Sequence, residues 1–355
     1  MISPEKLIKE LTNQGIDFFT GVPDSLLSDC TKYIENSKKN VITANEGSAI
    51  AMAAGYHLST KKIACAYMQN SGLGNAINPL ISLTSKEVYS IPVLLMIGWR
   101  GQPGTIDEPQ HQLQGSITES LLKICNLNFI TIKKKDEEKT ILEKVKYILN
   151  IIKKESIPGA ILVEKNSIIF EENKSKLNLK EEKNIFENLE LTREDAIKEI
   201  IETVNNESAI FCTTGKASRE LLEIRDATKN DKSKDSKDFY TVGSMGHVLS
   251  IASGCKVGNI KKNIICIDGD GSTLMHMGSM AINANLKEFN ILHIILNNGC
   301  HESVGGQKTV GFDIDFLKIA EGCGYKSYAL AETKNSDYTA AKDEKVTMFS
   351  IAMAF

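Results

Sequence analysis

One arrangement of residues occurs twice in this chain, about two hundred positions apart. Lys62-Ile63-Ala64-Cys65-Ala66-Tyr67 runs into a turn at Gly72 and Gly74, and Asn263-Ile264-Ile265-Cys266-Ile267-Asp268 runs into one at Gly269 and Gly271. Ile91–Gly98 and Ile291–Gly299 are apolar runs that each end in a Gly loop. From Ile63 to Ile264 is 201 residues, and from Ile91 to Ile291 is 200. Short, continuous apolar runs closed by Gly turns are the mark of strands buried on both faces, as in parallel sheets. Parallel neighbours need crossover connections, usually helices. Ala44–Gly55 and Val242–Gly254 supply them, each a turn leading into a helix of small residues. The expectation is an α/β protein of two similarly built halves, each a mainly parallel sheet flanked by helices.

The two halves also begin alike. Ser3-Pro4-Glu5 gives an N-cap, a first helical position and a first-turn acid, followed by Leu7, Ile8 and Leu11 on one face and Gly15 as the stop. Ile16–Thr20 then reads as a buried strand ending in the turn Gly21-Val22-Pro23-Asp24. Thr192-Arg193-Glu194-Asp195 resembles a capping box, with Ile197, Ile200, Ile201 and Val204 at helical spacing behind it and a strand at Ala209–Thr213. Between them Glu171–Glu190 is rich in Lys, Glu and Asn, as in a solvated linker. The expected boundaries are 1–170 for the first domain, 171–190 for the linker and 191–355 for the second domain, a division that suits 355 residues. Charge runs at Lys133–Lys139 and Lys229–Asp238 read as exposed loops or helix faces.

Composition narrows the function. Lys and Arg number 42 against 45 Asp and Glu, a net charge of -3 that lacks the basic surface a nucleic-acid binder turns towards phosphates. Eight cysteines form no C-x-x-C pair, so reduced and mostly buried thiols are expected rather than a disulfide framework or a zinc site. The N-terminus carries no apolar signal region and no apolar run is long enough to cross a bilayer, which reads as a cytoplasmic chain without a membrane partner. Arginine is scarce: only Arg100, Arg193, Arg219 and Arg225 occur, so each is a candidate for a position that Lys cannot fill.

The chemistry concentrates where two strands end. Ile264–Ile267 runs into Asp268-Gly269-Asp270-Gly271-Ser272-Thr273, and 28 positions beyond Asp270 stands Asn298, in Asn297-Asn298-Gly299 after the strand Ile291–Leu296. Alone, the Gly-Asp-Gly triplet is a tight turn as readily as a phosphate cradle. In a parallel sheet, however, both turns lie at the carboxyl edge, where ligands bind. Asp270 and Asn298 are then placed to share a hard cation through oxygen, and that cation to grip a diphosphate. No G-x-G-x-x-G fingerprint follows a strand with an acid at the right distance, which argues against a dinucleotide-binding protein.

With this spacing the chain resembles the thiamine diphosphate-dependent 2-oxo acid decarboxylases, most closely compact members that lack a central third domain and act on phosphono- or sulfo-2-oxo acids. The resemblance runs to about Tyr325. It is carried also by Gly21-Val22-Pro23-Asp24-Ser25, Asn45-Glu46-Gly47-Ser48-Ala49, Gln69-Asn70-Ser71-Gly72-Leu73-Gly74-Asn75, Gly98-Trp99-Arg100-Gly101, Asp107-Glu108-Pro109-Gln110-His111, Thr214-Gly215-Lys216, Gly243-Ser244-Met245-Gly246-His247 and Ser303-Val304-Gly305-Gly306-Gln307. It implies a pyrimidine-binding first domain and a diphosphate-binding second domain, with thiamine diphosphate and Mg²⁺ as cofactors. Asp270, Asn298 and the backbone carbonyl of Cys300 would hold the metal, and Gly269, Gly271, Ser272 and Gly243 would line the diphosphate. Met245 would support the bent cofactor. Glu46, in the pattern Glu46-x-x-Ala49-x-x-x-Ala53-x-Gly55, would pair with the aminopyrimidine ring and so promote loss of the thiazolium C2 proton. On local grounds alone, Glu46 is also a helix-N-terminal acid.

The resemblance further implies decarboxylation of 3-phosphonopyruvate to phosphonoacetaldehyde and CO₂. Sulfopyruvate decarboxylation, or a thiamine diphosphate-binding subunit without turnover, is the alternative. Arg100 and then Lys216 are the candidates for the substrate's second anion, with a surface ion pair as the plainer reading of Arg100. His111 and His247 are the expected proton-moving histidines, followed by His301, whereas His57, His276 and His293 sit in apolar patterns and read as structural. Family members pair the pyrimidine domain of one subunit with the diphosphate domain of another, so a homo-oligomer with sites at subunit interfaces is implied. Asn335–Phe355 departs from the family pattern, and Ser350–Phe355 reads either as a last strand or as an altered terminus.

Overall fold

A computed structural model of the protein describes residues 1–169, 191–204, 208–227, 238–258, 263–286, 291–326, 328–331 and 348–352. The chain divides into two compact units, Met1–Glu181 and Glu182–Phe355. The linker expected at 171–190 and the charge run at 229–237 lie outside the described residues.

The first unit is a parallel sheet of six strands: β1 (Phe18–Gly21), β2 (Lys39–Ile42), β3 (Cys65–Gln69), β4 (Leu94–Gly98), β5 (Asn128–Ile132) and β6 (Gly159–Val163), in the order β2-β1-β3-β4-β6-β5. The second holds β7 (Ala209–Cys212), β8 (Phe239–Tyr240), β9 (Ile264–Gly269) and β10 (Ile291–Asn297). A two-stranded ribbon follows, β11 (Cys300–His301) and β12 (Gln307–Lys308), and then β13 (Tyr328–Ala331) and β14 (Met348–Ala352). Its six-stranded sheet, read from β8, runs β8-β7-β9-β10-β14-β13, the same order as the first. The repeated sequence pattern therefore encodes a repeated topology. Part of the atypical C-terminal stretch supplies β14, which pairs in parallel with both β10 and β13.

Alternation along the strands explains two cores per sheet, because neighbouring side chains point to opposite faces. Ile63, Cys65 and Tyr67 join Leu94 and Met96 on one face of the first sheet, while Ala64, Ala66 and Met68 join Leu95 and Ile97 on the other. Ile265 and Ile267 face one core of the second unit, and Ile264 and Cys266 the other. Helices cover these faces. Ser3 caps the helix Pro4–Asn13 by accepting from the Lys6 N–H at 3.3 Å, and Thr192 and Asp195 form a full capping box on Arg193–Thr203. Gly15, with φ +94°, ends the first turn of chain as its position suggested. All eight cysteines are free thiols. Among the described residues no helix is long and apolar enough to cross a membrane.

Candidate active site

In the first unit, Glu46 opens the helix Glu46–Thr60, whose N-cap Asn45 accepts from the Ser48 N–H at 2.9 Å. Glu46 is only 5 % exposed. Asn75 donates to its Oε2 at 2.8 Å, and Gly72 lies so close that an added Cβ there would fall 2.3 Å from Oε1. The Gly-rich stretch after β3 is thus needed to bring backbone against a carboxyl group. Burying a carboxyl with one side-chain donor leaves the second oxygen to be satisfied by something else.

A second cluster lies at the carboxyl ends of β1 and β4. Asp24 is fully buried, its Oδ2 accepting from the Leu26 N–H at 3.1 Å and its Oδ1 without a hydrogen-bond partner among the described residues. Gly98, the last residue of β4, leaves room for it: a Cβ there would fall 1.9 Å from Oδ2. Burial pushes the Asp24 carboxyl up to about 6, against the opposing pull of the Arg100 charge. Arg100 grips Asp107 through Nε at 2.8 Å and through a terminal nitrogen, and donates to Ser25 Oγ at 3.0 Å. Asp107 also accepts from the Gly101 and Glu108 N–H groups, each at 2.9 Å. Arg100 foremost, with the histidine and these backbone donors, holds the Asp107 carboxyl far below the usual carboxylate range. An ionised carboxylate only accepts, so in the 2.8 Å contact between Asp107 Oδ1 and His111 Nδ1 it is Nδ1 that donates.

In the second unit, Asp270 follows β9 and is 2 % exposed. Burial pushes its carboxyl up to about 6, although the Thr309 hydroxyl donates to Oδ2 and the Gly271 and Asn298 N–H groups also bond it. Gly311 completes the cradle, since a Cβ there would lie 2.6 Å from Asp270 Oδ2 and 2.4 Å from Asn297 Oδ1. Asn298 is 8 % exposed and its Oδ1 accepts from the Cys300 N–H at 3.2 Å. Ser272 ties three loops together: its Oγ lies 3.0 Å from Thr213 Oγ1 and accepts from the Gly246 N–H at 3.0 Å. Gly269 faces open space, and a Cβ on Gly271 would crowd the His301 ring at 2.9 Å. Burial drops the His301 imidazole to about 4, so it is neutral at neutral pH.

Gly243 and Met245 are half-buried on the loop before the helix Val248–Val257. Ser244 at φ +53° and Gly246 at φ +84° bracket Met245, a reversal of the backbone that presents its side chain on a turn. His247 is exposed, its Nδ1 3.1 Å from the Met245 carbonyl oxygen and its ring centroid 4.4 Å from that of His276. Lys216 pairs with Glu302. His293 is fully buried and contacts Tyr325 Oη at 3.0 Å through Nδ1.

The geometry fits the expected cofactor. Asp270 and Asn298 offer one buried carboxylate and one amide oxygen, hard donors of the kind Mg²⁺ takes, and among the described residues no group of three or more His, Cys, Asp or Glu could hold a metal ion. Comparison with known proteins decides the family. The thiamine pyrophosphate enzyme N-terminal TPP binding domain matches residues 4–122, and the C-terminal TPP binding domain matches residues 214–349. The phosphonopyruvate decarboxylase of Streptomyces hygroscopicus is 31% identical over 336 residues, covering 92% of this chain and 80% of that protein. The chain belongs to the thiamine pyrophosphate-dependent decarboxylases. Its relatives in this family include the phosphonopyruvate decarboxylase of Streptomyces viridochromogenes, 32% identical over 92% of this chain and 81% of that protein. The sulfopyruvate decarboxylase of Methanosarcina acetivorans is 28% identical over 94% of this chain and 86% of that protein.

As a thiamine pyrophosphate-dependent decarboxylase, the chain gathers its sequence-expected residues into two groups. Glu46, Arg100 and His111 lie in the first unit; Lys216, Gly243, Met245, His247, Gly269, Asp270, Gly271, Ser272, Asn298 and Cys300 lie in the second. Sequence reasoning assigned no role to Asp24, Asn75, Asp107, Thr213 or Thr309, although the first three fall inside the quoted segments. A buried acid beside an Arg leaves no periodic trace in one sequence.

Proposed function

We propose that this protein decarboxylates 3-phosphonopyruvate to phosphonoacetaldehyde and CO₂, using thiamine diphosphate held through Mg²⁺. The observation that carries the substrate is the similarity to two phosphonopyruvate decarboxylases through both halves of the chain. When bound, thiamine diphosphate supplies a nucleophilic carbon and accepts the electrons left as CO₂ departs. The chain's own residues do the rest. Asp270, Asn298 and the Cys300 carbonyl hold the metal, and Gly269, Gly271, Ser272 and Gly243 accommodate the diphosphate. Met245 props the cofactor, and Glu46 hydrogen-bonds its aminopyrimidine ring.

His111, anchored through Nδ1 on Asp107, accepts or returns a proton through its other ring nitrogen, and His247 is the second proton carrier. Asp24, its pKa near neutrality, stands on the same side of the first unit as a further proton-holding group. Arg100 and Lys216 are the cations for the phosphonate. Both already hold carboxylates, Asp107 and Glu302, so they engage the substrate through their remaining N–H donors.

The assembly we propose is a homo-oligomer with its active sites at subunit interfaces, as the family resemblance implies. The net charge supports a small-molecule substrate with no nucleic-acid partner, and the proposed location is cytoplasmic.

Sulfopyruvate is the second reading, favoured by the full-length Methanosarcina relative. The test is aldehyde release from purified protein with thiamine diphosphate and Mg²⁺, comparing phosphonopyruvate, sulfopyruvate and pyruvate. Phosphonopyruvate turning over at least tenfold faster than the others supports the proposal. Preference for sulfopyruvate replaces it with the second reading, and cofactor binding without aldehyde from any substrate points to a non-catalytic subunit.

A further inference from the structure

We propose that Arg193 is a positioning residue for the metal and diphosphate loop, acting through Glu302. Arg193 opens the helix Arg193–Thr203, far in sequence from any cofactor motif. Its guanidinium donates to Glu220 through Nε at 2.7 Å and through Nη2 at 2.6 Å, a two-pronged grip, while Nη1 donates to Glu302. Lys216 donates to the other Glu302 oxygen. The Arg193 and Glu302 side chains are 16% and 22% exposed, so the pair is largely shielded from water. Glu302 stands two residues after Cys300 and four after Asn298.

Gly215 (φ +93°) lies against the same segment, where an added Cβ would lie 3.0 Å from Ser303 Oγ. Upstream, Asn297 donates to the Gly311 carbonyl at 2.7 Å and accepts from the Gly299 N–H at 3.1 Å. Hydrogen bonds at Asn297 and ion pairs at Glu302 thus bracket Asn298 and Cys300, and Arg193 and Lys216 supply the charged tie. A planar fork binds one carboxylate with two parallel donors and spares a third in a different direction, a geometry that the compact lysine ammonium does not match. This accounts for one of the four arginines in a chain that otherwise uses lysine.

The inference rests on the proposed reading of Asp270, Asn298 and Cys300 as the metal site. The test is calorimetric titration of thiamine diphosphate, in the presence of Mg²⁺, into full-length wild type, Arg193→Lys and Glu302→Gln. Melting temperature without cofactor and steady-state kinetics are recorded alongside. Each single variant should bind the cofactor about tenfold more weakly, the usual scale for partners behind the metal ligands. The double variant should be no weaker than the worse single one, because both act through one contact. For Arg193→Lys, turnover at saturating cofactor should change far less than the affinity does. Wild-type affinity in both variants, or a fall in melting temperature with affinity unchanged, would overturn the proposal while leaving the cofactor site in place. If wild type itself binds no thiamine diphosphate, the reading of the site falls and this inference falls with it.

Discussion

Gly72 and Glu46 are in closer contact than any other residue type at position 72 would permit: even a methyl group there would sit 2.3 Å from Glu46 Oε1 and 2.5 Å from its Cδ. Gly72→Ala must therefore push the carboxyl away from its place, because neither the helix start nor the buried backbone around it can yield cheaply. We expect a fall in turnover of about 10²-fold, on the scale of a displaced acid–base group, with the fold retained. Steady-state kinetics alongside circular dichroism would check this, and near-wild-type turnover would show that Glu46 tolerates displacement.

Glu46 and Asp270 should fail differently. Glu46→Gln removes a carboxyl while keeping its shape and its contact with Asn75, so turnover should be abolished and cofactor binding largely kept. Asp270→Ala removes the only carboxylate in the proposed metal set, so Mg²⁺ and cofactor affinity should be lost first. Calorimetry and single-turnover assays separate the two. Substantial turnover by Glu46→Gln would disprove the role given to that residue.

Asp107 joins Arg100 to His111. Asp107→Asn turns one of two acceptor oxygens into a donor and removes the charge, leaving the Arg100 guanidinium partly unpaired and weakening the acceptor that orients His111. Stability should drop by ~3 kcal/mol, the scale for losing one member of a shielded ion pair. Turnover should fall by about 10²-fold. Adding Arg100→Met should restore much of the stability but none of the turnover, and denaturant titration with kinetics on both variants reads the two effects apart. Full activity in Asp107→Asn would refute the dyad.

Two carboxyls of the first unit should respond to pH in opposite ways. Asp24 is raised to about 6 from an ordinary value of 3.8, so the folded protein holds its proton more tightly than the unfolded chain. Stability therefore declines as pH rises from about 4 to 6 and is level beyond, by about 3 kcal/mol at ~1.4 kcal/mol per unit. Asp107 is depressed, so its contribution is fully present above the ordinary carboxylate range and is lost only on acidification below it. Asp24→Asn should gain stability relative to wild type between pH 4 and pH 7. Parallel unfolding curves at the two pH values would show that the Asp24 carboxyl is not held protonated by burial.

Sequence periodicity carried most of the architecture, because buried parallel strands and glycine turns leave local signals. The helix starts at Pro4 and Arg193 followed from capping residues, and the strand ends at Gly98, Gly269 and Asn297 from the apolar runs that precede them. The site divided differently. Glu46, Asp270 and Asn298 stood out through spacing within a recognisable motif. Asp24 and Asp107 did not, because their chemistry arises from three-dimensional burial and from an Arg on another loop. On sequence Arg100 and Lys216 are candidates for the substrate's second anion, with an ion pair as the plainer reading of Arg100; the fold pairs both, with Asp107 and Glu302, partners that neither spacing nor periodicity singles out. The partner of a charged side chain is a tertiary fact.

The shared strand order also bears on how each unit is made. β6 lies between β4 and β5, and β14 lies between β10 and β13, so in both units the strand latest in sequence takes an inner place. The edge strands β5 and β13 emerge before the neighbour that will hold them, and neither can join its sheet until that neighbour arrives. During synthesis each unit thus passes through a stage in which an inner slot stands open between two unpaired strand edges, the geometry that invites pairing with another chain. Loss of β14 would detach two strands rather than one, which makes that short segment the closing step of the second unit's assembly.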